Sequence, residues 1–212
     1  MYKRLIAFVD EIKNVSQISL ILDSDKKSHN YIYFENGIMY HYNVNQIFQV
    51  YEDCTQDKKG ADYFNDKKFK FDLDEFIYFT KNYKKNISKF EIENNNFLLE
   101  VNSVNKIECK WNKKDDMILK NIKNHFNINS PYFTKELNKE EIELLNNNEF
   151  EKIELIDNLK MHMLKKYISK INKTTNSIII KLYNTNNDFI KIIEIEINNK
   201  NLISHNYGKI VI

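Results

Sequence analysis

The chain has 212 residues, 32 Lys and Arg against 30 Asp and Glu, a formal net charge of +2, and 42% hydrophobic residues. That is apolar material for one mid-sized domain or two small ones. It excludes a disordered polymer and an all-round basic coat, while leaving room for one basic face balanced by acids elsewhere. Three glycines, one proline and two widely separated cysteines exclude a phosphate-binding glycine loop, a dinucleotide fingerprint, a disulfide framework and a thiolate zinc site.

In chain order, Leu5, Phe8, Val9 and Ile12 repeat at helical spacing and predict a helix over residues 3–14, ringed by Lys3, Arg4, Asp10 and Lys13. The apolar run at its start stops at Asp10-Glu11, too short for a signal segment. No run approaches the roughly 20 apolar residues of a membrane span, so the expectation is a soluble, intracellular protein. Ile18–Leu22 reads as a buried strand. Two β-prone runs between Tyr31 and Val44 flank Asn36-Gly37, a favoured pair for a type I′ hairpin. A strand follows at Ile47–Tyr51, then a polar stretch over 53–68.

Phe69–Leu73 alternates like a strand and leads into a helix over 74–85, with Asp72 as N-cap and Glu75 three residues on. On that helix Phe76, Phe79, Thr80 and Tyr83 take one side, and Tyr78, Lys81, Lys84 and Lys85 the other. Three strands are predicted next, at 87–93, 97–101 and 106–111. The charged stretch 112–116 marks a boundary, followed by an amphipathic helix over 116–126 and the single proline, Pro131. Strand 132–137, a helical turn 138–145 capped by Asn138 and Glu141, strand 150–156 and helix 159–171 come next. The last helix carries Lys160, Lys165, Lys166 and Lys170 around a Met161, Leu164, Ile168, Ile171 stripe. Strands at 177–183, 189–197 and 202–212 close the chain. Residues 69–111 and 150–212 share one order: strand, Lys-bearing helix, three strands. The expected fold is therefore α+β with an internal pseudo-repeat and helices on one face of antiparallel sheets.

Catalytic motifs do not emerge. Asp115-Asp116 and Glu140-Glu141 fit solvated helix starts. Cys109 alternates with Ile107 and Trp111 as a small buried residue, Cys54 has no histidine nearby in sequence, and His162 sits between methionines. Ser24, Ser28 and Ser88 lack a nucleophile elbow. The expectation is a protein that is not an enzyme and carries no metal or cofactor. The lysines point elsewhere. They lie off the apolar stripes of the helices, whereas Glu91, Glu93, Glu100, Glu108, Glu194 and Glu196 lie on strands. Helices gathered on one side of a sheet would make that side basic, a face that attracts phosphates without reading bases.

This order of elements resembles the sliding DNA clamps, especially the shorter phage-type trimeric clamps with two domains per subunit. The opening helix with 18–22 and the Asn36-Gly37 hairpin, Phe69-Lys70-Phe71-Asp72-Leu73 running into 74–85, and Leu164–Ile168 followed by 177–183, 190–197 and Tyr207-Gly208-Lys209-Ile210 carry the likeness. The resemblance implies a clamp-like domain over 1–111, a connector over 112–131, and a second, shortened domain over 132–212. It implies a viral or phage-type polymerase processivity factor, a homotrimeric ring closed edge to edge around double-stranded DNA. Lys3, Arg4, Lys13, Lys81, Lys84, Lys85, Lys165, Lys166 and Lys170 would face the duplex. Polymerase and clamp-loader peptides would dock in an apolar groove near 112–131. The alternative is an α+β interaction module, such as a transcription adaptor or inhibitor, that does not encircle DNA.

Overall fold

The computed structural model describes residues 2–16, 31–42, 46–52, 66–83, 86–102, 105–126, 129–156, 159–168, 175–199 and 202–211. The strand expected at 18–22 and most of the polar stretch 53–68 lie outside them. Helix α1 (Tyr2–Ser16) precedes β1 (Tyr31–Glu35), β2 (Ile38–Tyr42), β3 (Gln46–Glu52) and β4 (Lys68–Asp72). Helix α2 (Leu73–Tyr83) leads to β5 (Ile87–Glu93), β6 (Asn96–Val101) and β7 (Asn105–Lys110). Helix α3 (Lys113–Asn124), β8 (Phe133–Glu136), α4 (Lys139–Asn146), β9 (Glu154–Ile156), β10 (Leu159–Lys160) and β11–β13 (Thr175–Asn184, Ile190–Asn199, Leu202–Val211) complete the order. The α+β expectation holds, with antiparallel pairing in every sheet.

Asparagine does the turning that glycine does elsewhere. Asn36 and Gly37 adopt φ of 52° and 80°, as the type I′ hairpin requires, and Asn94 and Asn95 repeat the arrangement between β5 and β6 at 49° and 60°. The helix starts are equally local. Asp72 Oδ1 accepts the Glu75 N–H at 2.9 Å, and Asn138 with Glu141 forms a capping box at α4. A second capping box, Asn112 with Asp115, starts α3 at Lys113, three residues before the expected position.

Eight strands form one sheet in the order β4-β1-β2-β3-β13-β12-β11-β8. Each half of the chain supplies a three-strand meander running inward, β1 to β3 and β11 to β13, with a fourth strand on the outer edge. The halves meet where β3 pairs with β13, from Leu202↔Glu52 to Gly208↔Gln46. Register fixes the two faces. One row crosses the sheet as Phe69, Phe34, Met39, Val50, Ser204, Ile197 and Ile178, all buried. The adjacent row reads Lys70, Tyr33, Tyr40, Gln49, His205, Glu196 and Ile179, and faces the other way.

The buried row is the floor of two cores. Leu5, Phe8 and Val9 of α1 and Leu73 and Phe76 of α2 pack over the first half. The sheet β5-β6-β7 closes that core from above, with Phe97 stacked on Phe69 and Phe71 at centroid distances of 5.9 and 5.0 Å. Ile142 and Leu145 of α4, with Phe150, Met161 and Leu164, cover the second half. Helix α3 departs from the one-face expectation. Its Leu119 and Ile122 pack on Tyr33, Tyr40 and Tyr207, on the opposite face.

Two predicted elements take another form. Residues 150–152 are a 3₁₀ turn ahead of β9, and the helix expected over 159–171 is strand β10 followed by a 3₁₀ segment, Met161–Tyr167. Three residues per turn bring Met161 and Leu164 onto one side, and both are fully buried. The α-helical reading shared those two positions. The repeat of order also uses its strands differently: β5–β7 form a sheet of their own, whereas β11–β13 lie inside the large one.

Candidate nucleic-acid interface

Six of the nine cationic residues singled out by the sequence, Lys3, Arg4, Lys13, Lys81, Lys165 and Lys166, belong to described elements that cover the buried row. Lys3 is exposed and Arg4 half-buried on α1; Lys81 is exposed in the last turn of α2. Lys165 is exposed in the 3₁₀ segment, its ammonium 5.4 Å from the Phe150 ring centroid. Lys13 and Lys166 belong to α1 and the 3₁₀ segment, but their side chains lie outside the described residues, as do Lys84, Lys85 and Lys170 altogether. One side of the sheet therefore brings together the elements bearing Lys3, Arg4, Lys81 and Lys165. That side is not purely basic: Glu140, Glu141 and Glu143 belong to α4.

The opposite face carries a charged network that the sequence reading did not assemble. Glu194 is 3% exposed, and its Oε1 accepts from His205 Nδ1 at 2.8 Å while Oε2 accepts from the Tyr183 hydroxyl. Lys181 Nζ donates to Glu194 Oε1 at 3.3 Å and Glu196 Oε2 at 2.9 Å. Since a carboxylate only accepts, His205 donates to Glu194 from Nδ1, and its other ring nitrogen, Nε2, meets the Tyr51 hydroxyl at 3.1 Å. Burial alone would raise the Glu194 carboxyl. The His205 and Tyr183 hydrogen bonds and the Lys181 charge outweigh it and hold the group at about 2. Burial, and then Glu194, push the Tyr183 and Tyr207 hydroxyls up.

Glu194, Glu196 and His205 present ligand atoms within 4.8 Å of one another, a geometry that a metal ion could use. Here the Lys181 ammonium already bridges both carboxylates, and the network ties β3, β13, β12 and β11 together. The only early sign was the Glu194 and Glu196 alternation with Ile193, Ile195 and Ile197.

Beside this network, α3 is fastened by ion pairs. Lys70 meets Asp115 at 2.8 Å, Lys68 meets Glu35 at 3.3 Å and Asp116 at 2.5 Å, and Lys123 meets Glu35. A cleft of about 320 Å³ between α3 and the edge of the sheet is bounded by Glu35, Lys68, Asp116, Lys120 and Lys123. Its Lys68 and Lys123 are neutralised by those acids.

Apolar exposure gathers at one end of the sheet. Tyr42 at the end of β2, Tyr132 ahead of β8, Phe189 in the β11–β12 turn and Val211 on β13 are 41%, 44%, 71% and 69% exposed. Near them Phe126 packs edge-on against Tyr207, at 4.7 Å, and against Tyr40. This region adjoins the expected connector, 112–131.

No family model, curated protein or solved structure matches the chain. Among the described residues no helix is long and apolar enough to cross a membrane.

Proposed function

We propose that the protein is a clamp-like, non-enzymatic processivity factor whose subunits close into a ring around duplex DNA. The observation that carries this reading is the joining of both halves into one sheet through β3 and β13, with the elements bearing Lys3, Arg4, Lys81 and Lys165 on one side of it. A wall of that kind faces phosphates with point charges, which favours sliding over sequence readout. β7 supplies a means of closure. In the second half the outer edge of β13 takes β3, whereas β7 is the edge of its own three-strand sheet. A strand of the next copy would do there what β3 does within the chain. The exposed residues beside α3 and Phe126 suit an apolar peptide segment of a polymerase or loader.

Solution mass and low-angle scattering test the ring. A multimer with a hollow-particle profile is expected, and a compact monomer would overturn the reading. Reversing Lys81, Lys84 and Lys85 to Glu should flatten the salt dependence of duplex binding while leaving the circular dichroism spectrum intact.

The apolar end also favours a second reading, a monomeric interaction module that holds a partner protein without encircling DNA. The same mass measurement separates the two.

A further inference from the structure

Helix α2 carries a feature that phosphate attraction along a duplex does not use. Tyr78 is 55% exposed and stands in a triangle of rings with Phe79 and Tyr83, at centroid distances of 6.0, 6.0 and 5.9 Å. The contacts are edge-on or tilted, at 71°, 68° and 55°. The Tyr78 ring is thus braced by its neighbours while more than half of it stays open to solvent.

Charge along the helix is sorted. Its acids, Asp74 and Glu75, stand in the first turn, and Lys81 in the last. From Phe76 to Lys85 the sequence has no Asp or Glu and three lysines, Lys81, Lys84 and Lys85. Lys81 lies three residues after Tyr78, on the same side of the helix, and is exposed. An open aromatic ring beside a cation in an acid-free stretch complements two parts of one ligand: the flat face of a base and the phosphate next to it. In a duplex the base faces are covered by stacking, and only unpaired bases offer theirs.

We infer that the C-terminal half of α2 is a stacking site for single-stranded nucleic acid, with Tyr78 against a base and Lys81 on the adjoining phosphate. This rests on the basic side of the sheet being the nucleic-acid side, but it does not require a ring. A processivity factor with such a site would hold the unpaired template at the end of the duplex it encircles.

The test is fluorescence anisotropy of the full chain with labelled oligo-dT, oligo-rU and a duplex of equal length. The expected result is single-strand binding that Tyr78→Ala weakens by roughly tenfold, that Tyr78→Phe retains, and that leaves duplex binding unchanged. Lys81→Glu should weaken both single-strand and duplex binding. Preference for dT or rU identifies which nucleic acid is held, and either supports the site. No single-strand binding by the wild type, as for a helix face that contacts protein instead, would overturn the inference. So would single-strand binding indifferent to Tyr78→Ala but lost in Lys81→Glu, which marks charge alone. A monomer that still needs Tyr78 for oligo-dT would remove the ring and keep the site; a ring without oligo-dT binding would do the reverse.

Discussion

His41 lies on the core-facing side of β2, opposite Ile32 of β1, and is only 3% exposed. Burial pushes its imidazole down from 6.5 to about 4. A base with a lowered folded pKa takes up its proton more readily once unfolded. Its effect is therefore absent above pH 6.5 and grows as the pH falls toward 4, where it costs about 3 kcal/mol. Glu194 acts in a lower window: its carboxylate stabilises the fold above pH 4.5, and that contribution is lost as the pH falls toward 2. Glu11, raised by burial, works in the opposite sense. Denaturant midpoints should fall between pH 7 and pH 4.5, and His41→Phe should flatten the fall while leaving the Glu11 and Glu194 effects in place. An unchanged slope in the variant would remove His41 as the cause. At this scale the turns were legible, because Asn36-Gly37 carries its own backbone preference. The network of Tyr51, Lys181, Tyr183, Glu194, Glu196 and His205 was not. Those side chains meet through three strand registers, and no spacing within one segment encodes that.

Helix α3 shows how a short element is placed by both ends of its chemistry. Asn112 and Asp115 satisfy each other's backbone donors, so the start at Lys113 is written in four consecutive residues. Which face of the sheet receives it is not local. Leu119 and Ile122 would pack on any apolar surface, and the choice falls to Lys70 and Lys68, which project from β4 on the tyrosine side and reach Asp115 and Asp116. Asp115 is 3% exposed and serves the cap and the ion pair together, with Oδ2 accepting the Asn112 N–H at 2.7 Å. Asp115→Ala should cost roughly 2–4 kcal/mol, since it strands the half-buried Lys70 and opens the cap. Hydrogen exchange should then quicken in residues 113–124 while β11–β13 stay protected; uniform loss of protection would mean that α3 is integral to the sheet. The 3₁₀ segment teaches the converse. Met161 and Leu164 suit a period of 3.0 and a period of 3.6 alike, so the sequence admits both, and packing under Ile178 and Ile180 decides.

At the scale of the whole molecule, the sequence showed two halves but not their fusion. The alternation within β3 and within β13 says that each has a buried face; only the seven paired positions of the structure say that they are neighbours. An unbroken eight-strand sheet should unfold as one unit. The single tryptophan, Trp111, sits edge-on to Tyr33 in the first half, and its fluorescence should lose its folded value at the same denaturant concentration as the far-ultraviolet circular dichroism. Separate midpoints would show that the halves melt independently.

Pairing β3 with β13 also sets an order of assembly. The two meanders are built from hairpins and can form quickly, whereas Tyr51 and His205 are 154 residues apart along the chain. Closing so long a loop is the non-local, entropically expensive step, and such steps slow folding. Until it happens, β3 waits with bare amide and carbonyl groups along one side. A newly made polypeptide therefore passes through an adhesive stage that ends only when its two hairpin stacks find each other.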